Sequence, residues 1–413
     1  MPEAVIVAAS RTPIGRAHKG SLTQARPDDM SAFIIQDVLS KVPEVSPADV
    51  EDVIWGCAQP AGEQGYNIAR VSSLLAGLQT PGVTVNRYCS SSLQTIRMAA
   101  HAIRSGEGDC FISGGVEAVS RFGSGLSDGA PNTHNPLFDE ALARSAARST
   151  GEGGDWAPAP GLPDIYIAMG QTAENVAEYK EVSRERQDEF ACLSQNRAEA
   201  AQARGFFQRE ITPYPIPPSE DGDTNGASNG AVMDKDDGIR FGTTLEGLSN
   251  LKPVFKPEGT ITAGNACPLN DGAAAVVVMS DTKAAQLGIT PLAKIISSGV
   301  SSLNPEIMGL GPVEAVRQAL ERADMTIDDI DLVELNEAFA AQVIPSADEL
   351  NISWSKLNVN GGSIALGHPF GMTGARIMNT LLNGLEDADK EIGLETMCVG
   401  GGQGMAMIVQ RLS

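Results

Sequence analysis

The sequence predicts an α/β protein of two similar halves, with a segment of different character inserted into the first. Three observations point there. Over residues 1–118, short β-like runs alternate with helical ones, the pattern of α/β domains. From about residue 290 to the end the same succession returns, as expected of an internal duplication. Between 119 and 250 the chain is rich in Gly, Ser, Pro, Asn and Asp around one long helical stretch, the composition of a loop domain where ligand contacts collect. The expected boundaries are therefore a first half of 1–118 with 251–285, a loop domain of 119–250 and a second half of 286–413.

Taken in order, Ala4–Ala8, Asp52–Gly56 and Cys110–Ser113 read as strands, and Met30–Lys41 and Ile68–Ala76 as helices. A third helix opens at Cys89 in VNRYCSSSLQTIRMAAHAIRS. Its Leu93, Ile96, Ala100 and Ile103 recur every three or four residues, the spacing of one buried face. Ser90, Ser91 and Ser92 are expected to cap its first N–H groups, and Gly106 to end it. In the loop domain, Gly123–Pro163 and Pro213–Asp237 read as loops around a helix over Ala173–Arg204. Strand character returns at Thr260–Met279. In the second half, DDIDLVELN echoes ADVEDVIWG, and GARIMNTLLNGLEDADKEIGLETMCVGGG echoes SSLQTIRMAAHAIRSGEGDCFISGGVEAV.

Thirty Lys and Arg against 52 Asp and Glu leave a formal charge of −22, and no basic run occurs. Nucleic acid and anionic membrane surfaces are therefore unexpected partners. Cys57, Cys89, Cys110, Cys192, Cys267 and Cys398 lie far apart with no C-x-x-C pair, which predicts reduced thiols and no zinc site. The chain opens without a secretory or transit leader, contains no apolar run of membrane-spanning length and ends QRLS, so a soluble cytoplasmic protein is expected.

A thiol at a helix N-terminus lies at the positive end of the macrodipole, beside unpaired N–H groups, which favours thiolate and can stabilise an oxyanion. Three loops of the second half add chemistry where α/β sheets collect ligands: Asn336–Phe339, Asn360–Pro369 and Cys398–Gly404. His368, fixed between Gly367 and Pro369, suits a general base, and Cys398 is a second thiol ahead of a glycine cluster. Two cysteines, a histidine, an asparagine and exposed N–H groups suit acyl transfer through a thioester.

Four blocks, VNRYCSSSLQ, ITAGNACPLNDGAAA, LNEAFAAQ with NVNGGSIALGHPFGMTGAR, and CVGGGQG, resemble the thiolase family over nearly the whole chain. The resemblance implies a thiolase fold: two α/β halves with mixed sheets, stacked as five layers, α-β-α-β-α, with the loop domain inserted. It implies that Cys89 is acylated, that His368 activates it, and that Cys398 exchanges protons with the acetyl-CoA carbon. Asn336, through a water, and His368 would form one oxyanion site, and the N–H groups of Cys89 and Gly400 a second. Met169, Arg240, Ala263, Cys267, Met308 and Phe339 would contact the coenzyme A thioester; for Arg240 a surface salt bridge, and for Cys267 a substituted loop residue, are the plain alternatives. Coenzyme A is then a substrate, no metal or redox cofactor is implied, and a homodimer or homotetramer is expected.

Departures from the family bear on substrate. Ala168 stands before Met169 where short-chain biosynthetic members usually have histidine, Cys267 replaces a frequent serine, and Ser92 replaces a glycine. The loss of that histidine and the small-residue stretch Gly123–Pro163 point to a bulkier acyl pocket, and with it to cleavage of 3-ketoacyl-CoA in β-oxidation of fatty or bulky acyl chains. Acetoacetyl-CoA synthesis (acetyl-CoA C-acetyltransferase) is the alternative. A β-ketoacyl synthase is disfavoured by the second cysteine, Cys398. A non-catalytic CoA- or lipid-binding subunit is disfavoured by the presence of Cys89, Asn336, His368 and Cys398 together.

Overall fold

In a computed structural model, residues 2–124, 131–217 and 231–413 are described. The portions of the two expected loops at 125–130 and 218–230 lie outside the described residues. The first half carries β1 (Ala4–Arg11), β2 (Gly15–Arg16), α1 (Pro27–Ser40), β3 (Asp52–Gly56), α2 (Ile68–Leu75), β4 (Gly82–Val85), α3 (Ser91–Ser105) and β5 (Cys110–Ala118). The insertion carries α4 (Asp139–Ser149), α5 (Met169–Tyr179), α6 (Arg184–Ala203), β6 (Tyr214–Pro215), β7 (Val232–Met233) and α7 (Leu245–Ser249). The chain then returns through β8 (Asn270–Ser280) and α8 (Asp281–Leu287). The second half carries β9 (Ala293–Ser302), α9 (Gly311–Ala323), β10 (Leu332–Leu335), α10 (Ala340–Glu349), α11 (Ser363–Leu366), α12 (Thr373–Asp387), β11 (Ile392–Val399) and β12 (Gln403–Arg411).

The sheet order shows the duplication. Strands run β4-β3-β5-β8-β1 and then β9-β12-β11-β10. In each half the outer pairs are parallel and the inner ones antiparallel. A parallel bridge between Val333 and Leu357 stands where the first half has β4. Among the described residues the half-sheets join along one short seam, Val5 with Lys294 and Ile6 with Ala293, so they form two layers linked at one edge. Even the entries into β3 and β10 match: Ser46 with Asp49, and Thr326 with Asp329, form capping boxes one turn ahead of each strand.

Three apolar cores complete the five layers. Met30, Ile34 and Val38 of α1 cover Val53, Ile112 and Val277 on one outer face. Val313 and Val316 of α9, with Val343 and Ile344 of α10, cover Val333, Leu394 and Ile408 on the other. Between the sheets, Leu93, Ile96, Ala100 and Ile103 of α3 meet Ile377, Met378 and Leu381 of α12. These helices touch so closely that a methyl group on Gly374 would lie 2.3 Å from the Leu93 nitrogen. Gly106 ends α3 in the left-handed region (φ 80°), as its sequence position predicts.

Four local expectations fail. The stretch Ala173–Arg204 is two helices, because Glu181 turns left-handed (φ 52°) and Ser183 starts α6 by accepting from the Arg186 N–H. Within Gly123–Pro163, Asp139–Ser149 is helical, since alanines alternate there with charged residues. Thr260–Met279 is a strand only from Asn270; before it, Asn265 and Thr262 fold a loop through their own side chains. The fourth failure, at the start of α3, belongs to the site. Among the described residues no helix is long and apolar enough to cross a membrane.

Candidate active site

Cys89 sits in a 3-10 turn, Tyr88–Ser90, between β4 and α3. The turn is forced: Tyr88 is left-handed (φ 42°), and the Asn86 side chain accepts from its N–H at 2.8 Å. Ser91 Oγ accepts from the Arg87 N–H and donates to the Tyr88 carbonyl. The serines therefore staple the turn and do not cap α3. Ser92 Oγ is taken by the Ala375 N–H of α12 at 2.9 Å, which ties the first turn of α3 to the second half.

Cys89 is 7% exposed. Burial pushes the Cys89 thiol up to about 11, against the pull of the Gly400 and Cys89 N–H groups that face it. Desolvation of the anion therefore works against the thiolate that these N–H groups favour. Arg87 donates to Gln94 and to Gln403, and Gln403 in turn donates to the Gly400 carbonyl, so one side chain links the cysteine turn to the glycine loop.

His368 follows Gly367, whose φ of 112° favours glycine. Its N–H donates to Asn270 Oδ1, and its ring Nδ1 lies 2.7 Å from Thr373 Oγ1. Thr373 gives its own proton to the Pro369 carbonyl, so its oxygen accepts and Nδ1 carries the hydrogen. Nε2 keeps its lone pair, 3.3 Å from Asn336 Nδ2. Burial, then the nearby Arg376, pull His368 down to about 3, so the resting imidazole is neutral.

Asn336 directly follows β10 and is held by its N–H to the Thr396 carbonyl and by Gln342, which donates to its own carbonyl. Cys398 is the penultimate residue of β11 and fully buried, and burial pushes its thiol well up. Cys89, Cys267 and Cys398 lie close enough that a charge on one opposes a charge on another. Met308 and Phe339 pack with Cys398 in one apolar cluster, with Met169 and Cys267 at its margin. Arg240 donates to the Ala263 carbonyl at 2.9 Å, which ties it to the loop leading to Cys267; among the described residues it makes no ion pair.

Two carboxylates that the sequence reading did not single out build the walls. Glu117 of β5 accepts from the N–H groups of Ala58, Gln59 and Gly371 and from Gln64, fixing the turn beyond His368, and burial pushes it up to about 7. Glu337 accepts from Ser194, Asn358 and the Ile364 N–H, pinning the loop ahead of α11. Thr373 was missed as well. Its only sequence signal was a hydroxyl five residues after a histidine in a glycine-rich turn, and that pattern carries no direction.

A neutral imidazole whose unprotonated Nε2 faces the Asn336 amide, two buried thiols and the N–H groups that face Cys89 form a buried site able to pass protons and stabilise oxyanions. The duplicated α/β body and this site define an acyltransferase. Residues 4–282 match the family model for the thiolase N-terminal domain, and residues 289–411 that for the thiolase C-terminal domain. The chain belongs to the thiolase family. It is 44% identical over 420 residues to the β-ketoadipyl-CoA thiolase of Acinetobacter baylyi, covering 100% of each chain. It is 44% identical over 418 residues to the 3-ketoacyl-CoA thiolase of Aeromonas hydrophila, again over 100% of each. The crystal structure of the Bacillus anthracis acetyl-CoA acetyltransferase superposes with a TM-score of 0.84 at 36% identity, over 100% of this chain and 99% of that one.

Proposed function

We propose that this thiolase cleaves 3-ketoacyl-CoA with coenzyme A, giving acetyl-CoA and a shortened acyl-CoA, with Cys89 as the acylated nucleophile. The observation that carries the reading is the meeting of Cys89, from the first half, with Gly400 and Cys398, from the second, in a chain whose second half also pairs Asn336 with His368. Cys89 gives its proton to His368 Nε2 as sulfur attacks the 3-keto carbon, and the oxyanion lies against the Cys89 and Gly400 N–H groups. The bond between C2 and C3 breaks, and its electron pair leaves as the acetyl-CoA enolate beside Asn336 and His368. Cys398 protonates C2. Its thiolate then takes the proton of free CoA, CoA attacks the acyl-Cys89 carbonyl, and the departing Cys89 sulfur recovers its proton from His368. Kinetics are ping-pong.

The full-length relatives named 3-ketoacyl-CoA and β-ketoadipyl-CoA thiolases support the degradative direction, as does Ala168, an alanine at the start of α5. The structural neighbour, an acetyl-CoA acetyltransferase, favours the second reading, acetoacetyl-CoA synthesis. CoA-dependent cleavage of 3-ketoacyl-CoAs from acetoacetyl-CoA to long, dicarboxylic and ring-bearing chains separates the two. Degradation predicts kcat/KM for a longer or bulkier member at least ~10-fold above that for acetoacetyl-CoA, a difference of about 1.4 kcal/mol; turnover of acetoacetyl-CoA alone overturns it.

Met169, Cys267, Met308 and Phe339 line the thioester arm beside Cys398, and Arg240 with Ala263 the stretch further out. Self-association is supported by β4, which among the described residues pairs only with β3, and by Tyr66, Leu74, Leu75 and Val83, large apolar side chains exposed on and around α2 and β4. A second copy of this chain is the partner we assign to that edge. Six cysteines without a disulfide fit a reducing compartment such as the cytoplasm.

A further inference from the structure

Asn336 carries an ambiguity that its chemistry must resolve. Its side chain is 1% exposed, and an amide can face a neighbour with either its oxygen or its NH2. One end would offer the enolate a hydrogen bond; the other would repel it. The polarity is decided two residues away. Ser363, at the first position of α11, stands between Asn336 Oδ1 at 2.6 Å and Arg376 Nη2 at 2.8 Å. A guanidinium only donates, so the Ser363 oxygen must accept from Arg376. The single hydroxyl proton is then directed at Asn336, which must present its oxygen to receive it. The NH2 is left facing His368 Nε2.

Each member is buried. Ser363 is 0% and Arg376 1% exposed, so water cannot substitute freely for either partner. Arg376 sits in the second turn of α12, three residues after Thr373, which fixes the other side of the imidazole. One helix therefore sets both ends: Thr373 assigns the proton to Nδ1, and Arg376 through Ser363 assigns a donor to the Nε2 side.

We propose that Ser363 and Arg376 are positioning residues that lock the Asn336 amide with its N–H groups toward the reacting enolate. They touch no substrate atom. The inference rests on the thiolase reading above and adds what makes the first oxyanion site a donor. The lock serves the carbon–carbon step, where the enolate needs Asn336. Thioester exchange between acetyl-CoA and free CoA runs through Cys89 and the Cys89–Gly400 N–H pair, and needs Asn336 less.

The test uses Ser363→Ala in the full-length enzyme, which removes the relay without adding bulk. Two rates are measured: cleavage of the best 3-ketoacyl-CoA, and exchange of labelled CoA into acetyl-CoA. The lock predicts that the ratio of cleavage to exchange falls on the order of 10- to 100-fold, less than the roughly 100- to 1,000-fold of losing an oxyanion-hole donor outright, with KM for the ketoacyl substrate within about two-fold of wild type. Ser363→Thr, which keeps the hydroxyl, should recover most of the ratio. An unchanged ratio in Ser363→Ala, whether both rates fall together or neither falls, overturns the proposal. So does an equal loss in Ser363→Thr with unchanged melting temperature. Wild type that exchanges and cleaves nothing would instead refute the thiolase reading itself, so the two failures are distinct.

Discussion

Cys89 is pushed up to about 11 and His368 down to about 3, so at neutral pH the resting site holds a thiol and a neutral imidazole, not an ion pair. Both shifts have the same first cause, the loss of water around a charged form, to which Arg376 adds at His368. Proton transfer between them becomes favourable only as the substrate oxyanion forms against the N–H groups of Cys89 and Gly400, which couples activation to substrate. The sign is testable. Alkylation of Cys89 by iodoacetamide in the free enzyme should keep rising with pH through 9 and 10, because the thiolate fraction is still growing there. A plateau near pH 7 would mean a preformed thiolate–imidazolium pair and would contradict the account. Residue by residue, Cys89, His368, Cys398 and Asn336 were legible because each sits in a short block whose neighbours restrict the backbone. Thr373, Ser363, Glu117 and Glu337 were not, because a hydrogen-bond partner's identity depends on which distant segment folds beside it.

At the scale of elements, strands and the helices packed on them were readable from apolar spacing: Asp52–Gly56 is a strand with the expected ends, and the α3 face holds the four residues expected of it. Breaks were harder. The interruption between α5 and α6 rests on a left-handed Glu181, a conformation its residue type does not announce, and the serines after Cys89 answer to a strained turn rather than to the helix they precede. The edge strand β4 gives a prediction at this scale. Val83 is 37% exposed on a strand with one open side, and a charge there should oppose pairing with another copy without touching the core. Val83→Lys is expected to weaken self-association at least ~10-fold by sedimentation velocity while leaving the far-ultraviolet circular dichroism unchanged. An unaltered oligomer would remove β4 from the interface.

Over the whole molecule, the duplication explains why one site receives thiols from both halves. α3 and α12 are matching helices at the centre, and β11 is the counterpart of β5, so the turn that opens α3 with Cys89 and the end of β11 with Cys398 approach the same gap. The two-layer plan was visible as an echo in the sequence; the narrow seam between Val5–Ile6 and Ala293–Lys294 was not, since register across a sheet leaves no mark on either strand alone. The division of labour between the two thiols is the central claim. It is tested most directly by intact-protein mass spectrometry after incubation with acetyl-CoA, on wild type, Cys89→Ala and Cys398→Ala, alongside their 3-ketoacyl-CoA cleavage. The account predicts an acetyl adduct on wild type and Cys398→Ala, none on Cys89→Ala, and cleavage by wild type alone; an adduct on Cys89→Ala at the wild-type level, or cleavage by Cys398→Ala at the wild-type rate, would contradict it.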